Sequence, residues 1–300
     1  MNAGTVYFLA DLAVYKMTTS GAAVTNLAAA QNNPWGIATD GQWVYWTNAG
    51  RDSAGAYGSV MAVPIAGGTP LVLASEQLRP FGIASGFSTV YWVTQGGYTG
   101  VSALGSLWKS SLDGGPPTAL VSHQDTPLQL VVDAHNAYWT SSPGGGTVMK
   151  MPLTGGAAMP IASGATQLGG LAVDATNVYW IDTGCPLDGA GSCSECGTSV
   201  MTAPIDGGVA RPLAEGQCNA SDIAVDASGA YWTDWGTVEN NLTDSSVMMI
   251  PAGETNVAVL VGAQVGASAI ALDASCVYWT TSALCATEPC PGTILKIAKP

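Results

Sequence analysis

The stretch DASGAYWTDWG, residues 226–236, carries a fragment that recurs along the chain. VYWTN stands at 44–48, VYWVT at 90–94, AYWTS at 137–141, VYWID at 178–182 and VYWTT at 277–281. The tyrosines are Tyr45, Tyr91, Tyr138, Tyr179, Tyr231 and Tyr278. Tyr7 in VYFLA makes a seventh, with Phe8 where the others have Trp. Their spacing is roughly 45 residues, a period that belongs to arrays and propellers.

Three further short apolar runs accompany each YW run. Before it comes a run such as GIATD (36–40), GIAS (82–85), LVVD (130–133) or IALD (270–273). After it comes one such as VYKM (14–17), VMAV (60–63), LWKS (107–110) or ILKI (294–297), and then one such as AVTNLA (23–28), PLVLA (70–74) or VAVLV (257–261). Runs of this length, rich in Val, Ile, Tyr and Trp and bounded by turn residues, read as strands A, B (the YW run), C and D. No helical periodicity separates them, so neighbours should pair antiparallel. Four-stranded units repeated around a ring describe a β-propeller. Asp40, Asp133, Asp174, Asp226 and Asp273 stand at the A–B turns, where Asp bonds its own backbone two residues on. AGG, DGG and TGG mark the C–D hairpins. The repeated Tyr and Trp read as packing within and between blades.

The fold class is therefore all-β, a single propeller domain over residues 1–300. Seven B and seven C runs are legible but only six A and six D. Seven blades, the first lacking its A strand and the last its D strand, is the leading count; six blades plus an N-terminal hairpin is the alternative. The repeats resemble those of YWTD and NHL-type propellers and of bacterial seven-bladed propellers such as streptogramin lyases, over nearly the whole chain. That resemblance implies the fold and says little about activity, because propellers host unrelated functions.

Composition narrows the function classes. The 300 residues are 47% hydrophobic and only 10% charged, with 38 Gly and 17 Pro and no run of about 20 apolar residues to span a membrane. A net charge of −13 disfavours nucleic acid as a partner. Seven cysteines in so weakly charged a chain point to an oxidising, extracytoplasmic setting: secreted, periplasmic or cell-surface. Met1 is followed by NAGTVYF, which lacks the basic start and apolar stretch of a signal peptide. A monomer is expected.

The A–B and C–D turns share one face of the ring and are short. The B–C and D–A connections share the other and vary in length, which is where binding usually sits. Most acids fall there, among them Asp125, Asp182, Asp188, Glu195, Asp222 and Asp234, against Arg51 and Arg79 as bases. This arrangement reads as solvated loop charge or as a negative face for a cationic partner. D–A connections and the entries to strand A should lie nearest the channel and supply Asn33, Trp35, Arg79, Phe81, His123, Asp125, Gln129 and Ser268. With Asp182, Asp222, Asp234 and Trp235 these form the candidate binding set. Its aromatics beside amides and carboxylates suit a sugar or another small polar ligand, or equally plug the channel.

His123 beside Asp125 is the sole candidate general base, and the streptogramin lyase resemblance draws notice to it, although that family's motif cannot be matched residue by residue. Asp182, Asp222 and Asp234 are candidate ligands for a divalent cation such as Ca or Mg, at no diagnostic spacing. NAS (219–221) and NLT (241–243) match the glycosylation pattern. Cys185, Cys193, Cys196 and Cys218 suit two disulfides or, as the rival, a four-Cys zinc site. Cys285 pairs with Cys290, and Cys276 is left free. The leading function is a binding propeller for a protein, glycan or cationic ligand. The alternatives are a metal-assisted lyase or lactonase-type hydrolase and a structural part of an envelope assembly.

Overall fold

Each YW run forms the second strand of its blade, and the two aromatic residues point to opposite faces of the sheet, as successive strand residues must. The structure is a computed structural model that describes residues 4–21, 23–50, 57–86, 88–96, 104–112, 115–142, 146–184, 197–237, 240, 242–282 and 292–300. The first sheet holds β1 (Thr5–Ala10), β2 (Ala13–Thr18) and β3 (Thr25–Ala28). The second holds β4 (Pro34–Thr39), β5 (Trp43–Asn48), β6 (Gly58–Pro64) and β7 (Leu71–Gln77). The third holds β8 (Pro80–Gly86), β9 (Thr89–Gly96), β10 (Leu104–Ser111) and β11 (Thr118–Gln124). The fourth holds β12 (Pro127–Val132), β13 (Asn136–Ser141), β14 (Gly146–Pro152) and β15 (Met159–Ala165). The fifth holds β16 (Leu168–Val173), β17 (Asn177–Asp182), β18 (Thr198–Pro204) and β19 (Arg211–Gln217). The sixth holds β20 (Ala220–Asp226), β21 (Gly229–Asp234), β22 (Ser245–Pro251) and β23 (Ala258–Gln264), and the seventh β24 (Ala267–Leu272), β25 (Cys276–Ser282) and β26 (Gly292–Ala298).

The fold is thus a seven-bladed, all-β propeller of antiparallel blades. Among the described residues the first blade has no A strand and the last no D strand, the count the sequence favours. Among the described residues there is no helix, and so none long and apolar enough to cross a membrane. The chain divides into two compact units, Met1–Pro143 with Met149–Met159 and Gly144–Val148 with Pro160–Pro300.

Within each unit the Tyr of one blade and the Trp of the next share an apolar cluster. Tyr45 packs with Trp92, and Tyr91 with Trp139. In the second unit Tyr231 packs with Trp279. Trp46, Trp92, Trp139 and Trp232 are fully buried. One dipeptide therefore seals both faces of its blade, which is why YW rather than a lone aromatic repeats.

Polar ends of these side chains are also tied. The hydroxyl of Tyr45 donates to Asp40 Oδ2 at 2.7 Å, and the same contact joins Tyr138 to Asp133, Tyr179 to Asp174 and Tyr278 to Asp273. The other oxygen of each of those carboxylates accepts backbone N–H groups of the turn, as from Gln42 and Trp43 at 2.9 and 2.8 Å. The turn reading of these five acids holds. In the sixth blade Asp226 bonds Ser228 and the Lys299 ammonium instead, and Lys299 also donates to Asp273 O at 2.5 Å. At the far end of the Trp, Nε1 donates to a Gln that closes the preceding blade: Trp46 to Gln31, Trp92 to Gln77, Trp232 to Gln217 and Trp279 to Gln264.

Candidate functional site

The first strand of every complete blade, and of the last, carries a β-bulge. Register shifts fall between Pro34 and Ile37, Pro80 and Ile83, Pro127 and Leu130, Leu168 and Leu171, Ala220 and Ile223, and Ala267 and Ile270. Bulges re-aim side chains and often sit beside functional sites. The bulged pairs are Trp35–Gly36, Phe81–Gly82, Leu128–Gln129, Gly169–Gly170, Ser221–Asp222 and Ser268–Ala269. Five of the sequence-predicted residues thus fall in the bulges, Trp35, Phe81 and Ser268 at the first bulged position and Gln129 and Asp222 at the second.

In four blades the Thr of the YWT motif ties the bulge; Val93 and Ile181 take its place in the third and fifth, which carry the bulge as well. Thr47 Oγ1 accepts the N–H of Gly36 at 2.9 Å and donates to Phe81 O of the next blade at 2.7 Å. Thr140, Thr233 and Thr280 accept the equivalent N–H groups of Gln129, Asp222 and Ala269. Glycine is needed where neighbouring first strands approach most closely. A Cβ on Gly82 would lie 2.6 Å from Leu128 O, and one on Gly170 would lie 2.8 Å from Asp222 Oδ1.

In the first unit the bulges gather an aromatic group. Trp35 is 52% exposed, while Phe81 is buried. Their ring centroids lie 4.8 Å apart, edge to face, and the Arg79 guanidinium lies 5.3 Å from the centre of the Phe81 ring. Arg79 has φ 54°, a left-handed conformation that its counterparts Asn33 and Asn219 also adopt, at 58° and 59°. Asn tolerates that region, but a bulky side chain there is strained. Asn33 and Asn219 each donate a side-chain N–H to the loop after their second strand, at Gly50 O and Gly236 O. That commits the amide of the NAS match. The NLT match falls on Asn241, outside the described residues.

His123 lies within β11, not in the connection after it: the D strand runs on past a left-handed residue, and His123 is that residue, at φ 61° and exposed. Ala30, Glu76 and Ala263 occupy the same kink. Asp125 is exposed, and its backbone carbonyl accepts the Ser141 hydroxyl.

In the second unit the acids serve the blade itself. Asp182 Oδ1 accepts the N–H groups of Thr166 and Gly184, both at 3.2 Å. Asp222 accepts from Ile223 N through Oδ1 and from Ile270 N of the next blade through Oδ2, both at 3.0 Å. Burial pushes its carboxyl up to about 6, against the pull of those two N–H groups. Asp234 is only 6% exposed and its Oδ1 has no partner. Burial raises this carboxyl to about 7, opposed by the Cys218 N–H and the Trp232 indole. Trp235 is half-buried, its N–H bonded to Asn219 O. Among the described residues no three His, Cys, Asp or Glu side chains are placed to hold a metal ion, so Asp182, Asp222 and Asp234 are not gathered into one such group. Cys276 is a free thiol. Cys185, Cys193, Cys196, Cys285 and Cys290, with Arg51, Asp188 and Glu195, lie outside the described residues, and the pairing of Cys218 with them.

No protein-family profile matches the chain, and no curated protein matches it by sequence. Solved structures do resemble it. A chain of a nidogen/laminin complex superposes with a TM-score of 0.61 at 18% identity, covering 85% of this chain and 92% of that one. A gluconolactonase from Xanthomonas campestris gives 0.55 at 15%, covering 87% and 85%. A TolB-type protein from Agrobacterium tumefaciens gives 0.53 at 16%, covering 71% and 77%. At these identities the likeness is one of fold.

Proposed function

We propose that this chain is an extracytoplasmic binding propeller that recognises a glycan through the aromatic group at its first-strand bulges, with Trp35 as the stacking surface and Arg79 and Phe81 setting its orientation. The observation that carries this reading is Trp35. Its equivalents Ser221 and Ser268 are small and Leu128 is aliphatic, yet this position holds an indole half open to solvent and buttressed edge-on by a buried phenyl ring. An indole face offers a flat apolar surface for the C–H face of a sugar, and an exposed aromatic of this kind is a recurrent anchor in recognition. The strained Arg79 beside it supports the same reading, since such strain clusters at ligand sites. Asp125 and Asp182 add acidic groups at the same ends of their blades, and a cationic or protein partner would draw on them. The cysteine content supports a secreted, periplasmic or surface setting with disulfides, and a monomeric domain suffices for the activity.

Binding to an immobilised oligosaccharide panel tests this. Trp35→Ala should lower retention at least tenfold for any sugar the unaltered protein holds, with an unchanged melting temperature. Retention unaffected by Trp35→Ala, or a panel without hits alongside capture of a basic protein that Asp125→Asn and Asp182→Asn abolish, would replace the glycan reading with the protein-binding one. A catalytic reading through a metal has less support, because the acids it needs do not converge.

A further inference from the structure

The turn acids and their tyrosines form a repeated clasp, and the first and third blades have the tyrosine without the acid. In the second, fourth, fifth and seventh blades a carboxylate accepts the Tyr hydroxyl. The spacing is five residues each time. Five residues before Tyr7 stands Asn2, a neutral side chain outside the described residues. Among the described residues the Tyr7 hydroxyl bonds the Thr5 side chain. Across the sheet Tyr7 faces Lys16, and Lys16 faces Thr25, so one face of the blade presents a phenol, an ammonium and hydroxyls together. Among the described residues Lys16 donates to Ile65 O of the second blade at 2.6 Å, and an ammonium carries three N–H donors.

The same Tyr–Lys pairing occurs in the third blade, where Tyr91 faces Lys109 without a turn acid, and in two blades where the acid is present. Tyr278 faces Lys296 in the seventh blade, with Asp273 on the tyrosine. In the fourth, Lys150 lies 5.8 Å from the centre of the Tyr138 ring, with Asp133 on the hydroxyl. In the first blade the corresponding space is a cavity of about 360 Å³ lined by Thr5, Tyr7, Lys16, Thr25, Ile65 and Ala66, among others. That volume is in the range of small-ligand pockets. Its chemistry is cationic and donor-rich in a chain of net charge −13, and its apolar walls suit a short carbon chain.

We propose that this cavity binds a carboxylate from outside the blade, which accepts the Tyr7 hydroxyl and the Lys16 ammonium as Asp273 accepts its tyrosine in the seventh blade. The ligand class is a small aliphatic carboxylic acid or the C-terminal carboxylate of a peptide. The site lies at the A–B and C–D turn end of its blade, opposite the bulges, and stands independently of the glycan reading.

Calorimetric titration of the full chain at pH 7 and fixed ionic strength tests it, with sodium propionate, an acetylated dipeptide acid, the matching dipeptide amide, and chloride as the control anion. One saturable site for propionate or the dipeptide acid is expected, with the amide and chloride silent. Lys16→Gln and Tyr7→Phe should each weaken it about tenfold, while Tyr138→Phe, in a blade that has its own acid, leaves it unchanged. Propionate and the dipeptide acid binding alike would identify a small-acid site; the dipeptide acid binding at least tenfold more tightly would identify a peptide terminus. Absence of saturable binding by both acids, equal binding of chloride, or equal affinity in the Tyr7→Phe protein overturns the proposal. Tyr7→Phe removes only a hydroxyl, so its melting temperature serves as the check on folding.

Discussion

At the scale of the residue, the left-handed positions and the buried carboxyls are where this chain departs from its own repeat. Arg79 stands where two other blades use Asn. A bulky side chain in that conformation costs about 1–2 kcal/mol, so Arg79→Asn is expected to raise stability by up to about 1 kcal/mol and to weaken glycan retention, as read by urea midpoints and by the oligosaccharide panel. Asp234 departs in the other direction. It occupies the place of Asn48, whose Nδ2 donates to Gln31 Oε1 at 3.0 Å and to Ser59 Oγ at 3.2 Å. A carboxylate cannot donate as the Asn48 Nδ2 does, so Asp234 brings a second acceptor to that place, and its Oδ1, like Asn48 Oδ1, is left unpartnered. The groups against it are the Trp232 indole and the Cys218 N–H. Asp234→Asn should therefore stabilise the protein at pH 8 by about 1–3 kcal/mol, the cost of a buried unsatisfied polar group, and have much less effect at pH 4, where the acid is protonated and can donate. Equal effects at both pH values would show that the carboxyl stays in one protonation state. Neither feature is legible in the repeat. Asp234 and Asn48 are interchangeable by alignment, and only the surrounding Gln and Trp distinguish a donor from a group that cannot donate.

At the scale of the element, the A–B turn and the first-strand bulge define the blade. Burial would raise the Asp40 carboxyl, but the Tyr45 hydroxyl and the N–H groups of Gln42 and Trp43 outweigh it and hold it below its usual value. Hydrogen bonds to charged groups contribute about 1.5–3 kcal/mol. Tyr45→Phe is expected to cost that much in a denaturant titration. Tyr91→Phe should cost about 1 kcal/mol or less, because the third blade has no turn acid and Tyr91 bonds Thr89 instead. Similar losses from the two would mean the clasp is packing rather than hydrogen bonding. The turn acids were readable from sequence because an Asp bonding its own backbone is local chemistry. The bulge was not. It shows as two residues opposite one, and a string of residues does not reveal which strand has the extra one until the strands pair. The Gln–Trp bond was within reach: Gln31, Gln77, Gln217 and Gln264 each precede their Trp by 15 residues.

At the scale of the whole molecule, two sets of carboxyls titrate in opposite senses. Asp40, Asp133, Asp174, Asp226 and Asp273 are held low despite burial, Asp273 at about 2, by N–H and hydroxyl donors and, for Asp226, first by Lys299. Their stabilisation is complete above the ordinary value of 3.8 and is lost as the pH falls toward about 2. Asp222 and Asp234 are raised by burial to about 6 and about 7, so their contribution declines as the pH rises from near 4 to near 7. Net charge works in the same direction, since the sequence pI is about 4.1 and repulsion grows above it. Thermal midpoints should therefore peak near pH 4–5 and fall on both sides, and the double variant Asp222→Asn with Asp234→Asn should flatten the upper limb. Midpoints rising from pH 5 to pH 8 would contradict this assignment. By itself the sequence determined the seven blades, their strand order, the missing strands at either end and the acids at the turns. Those follow from alternation and turn chemistry, which act over a few residues. Tertiary structure alone decided that Trp35 is open while Phe81 is buried, that Asp222 is tied to Ile270 from 48 residues away, and that Tyr7 and Lys16 share a cavity. Exposure and carboxyl charge depend on which neighbouring strand closes over a side chain, and that neighbour belongs to the next blade.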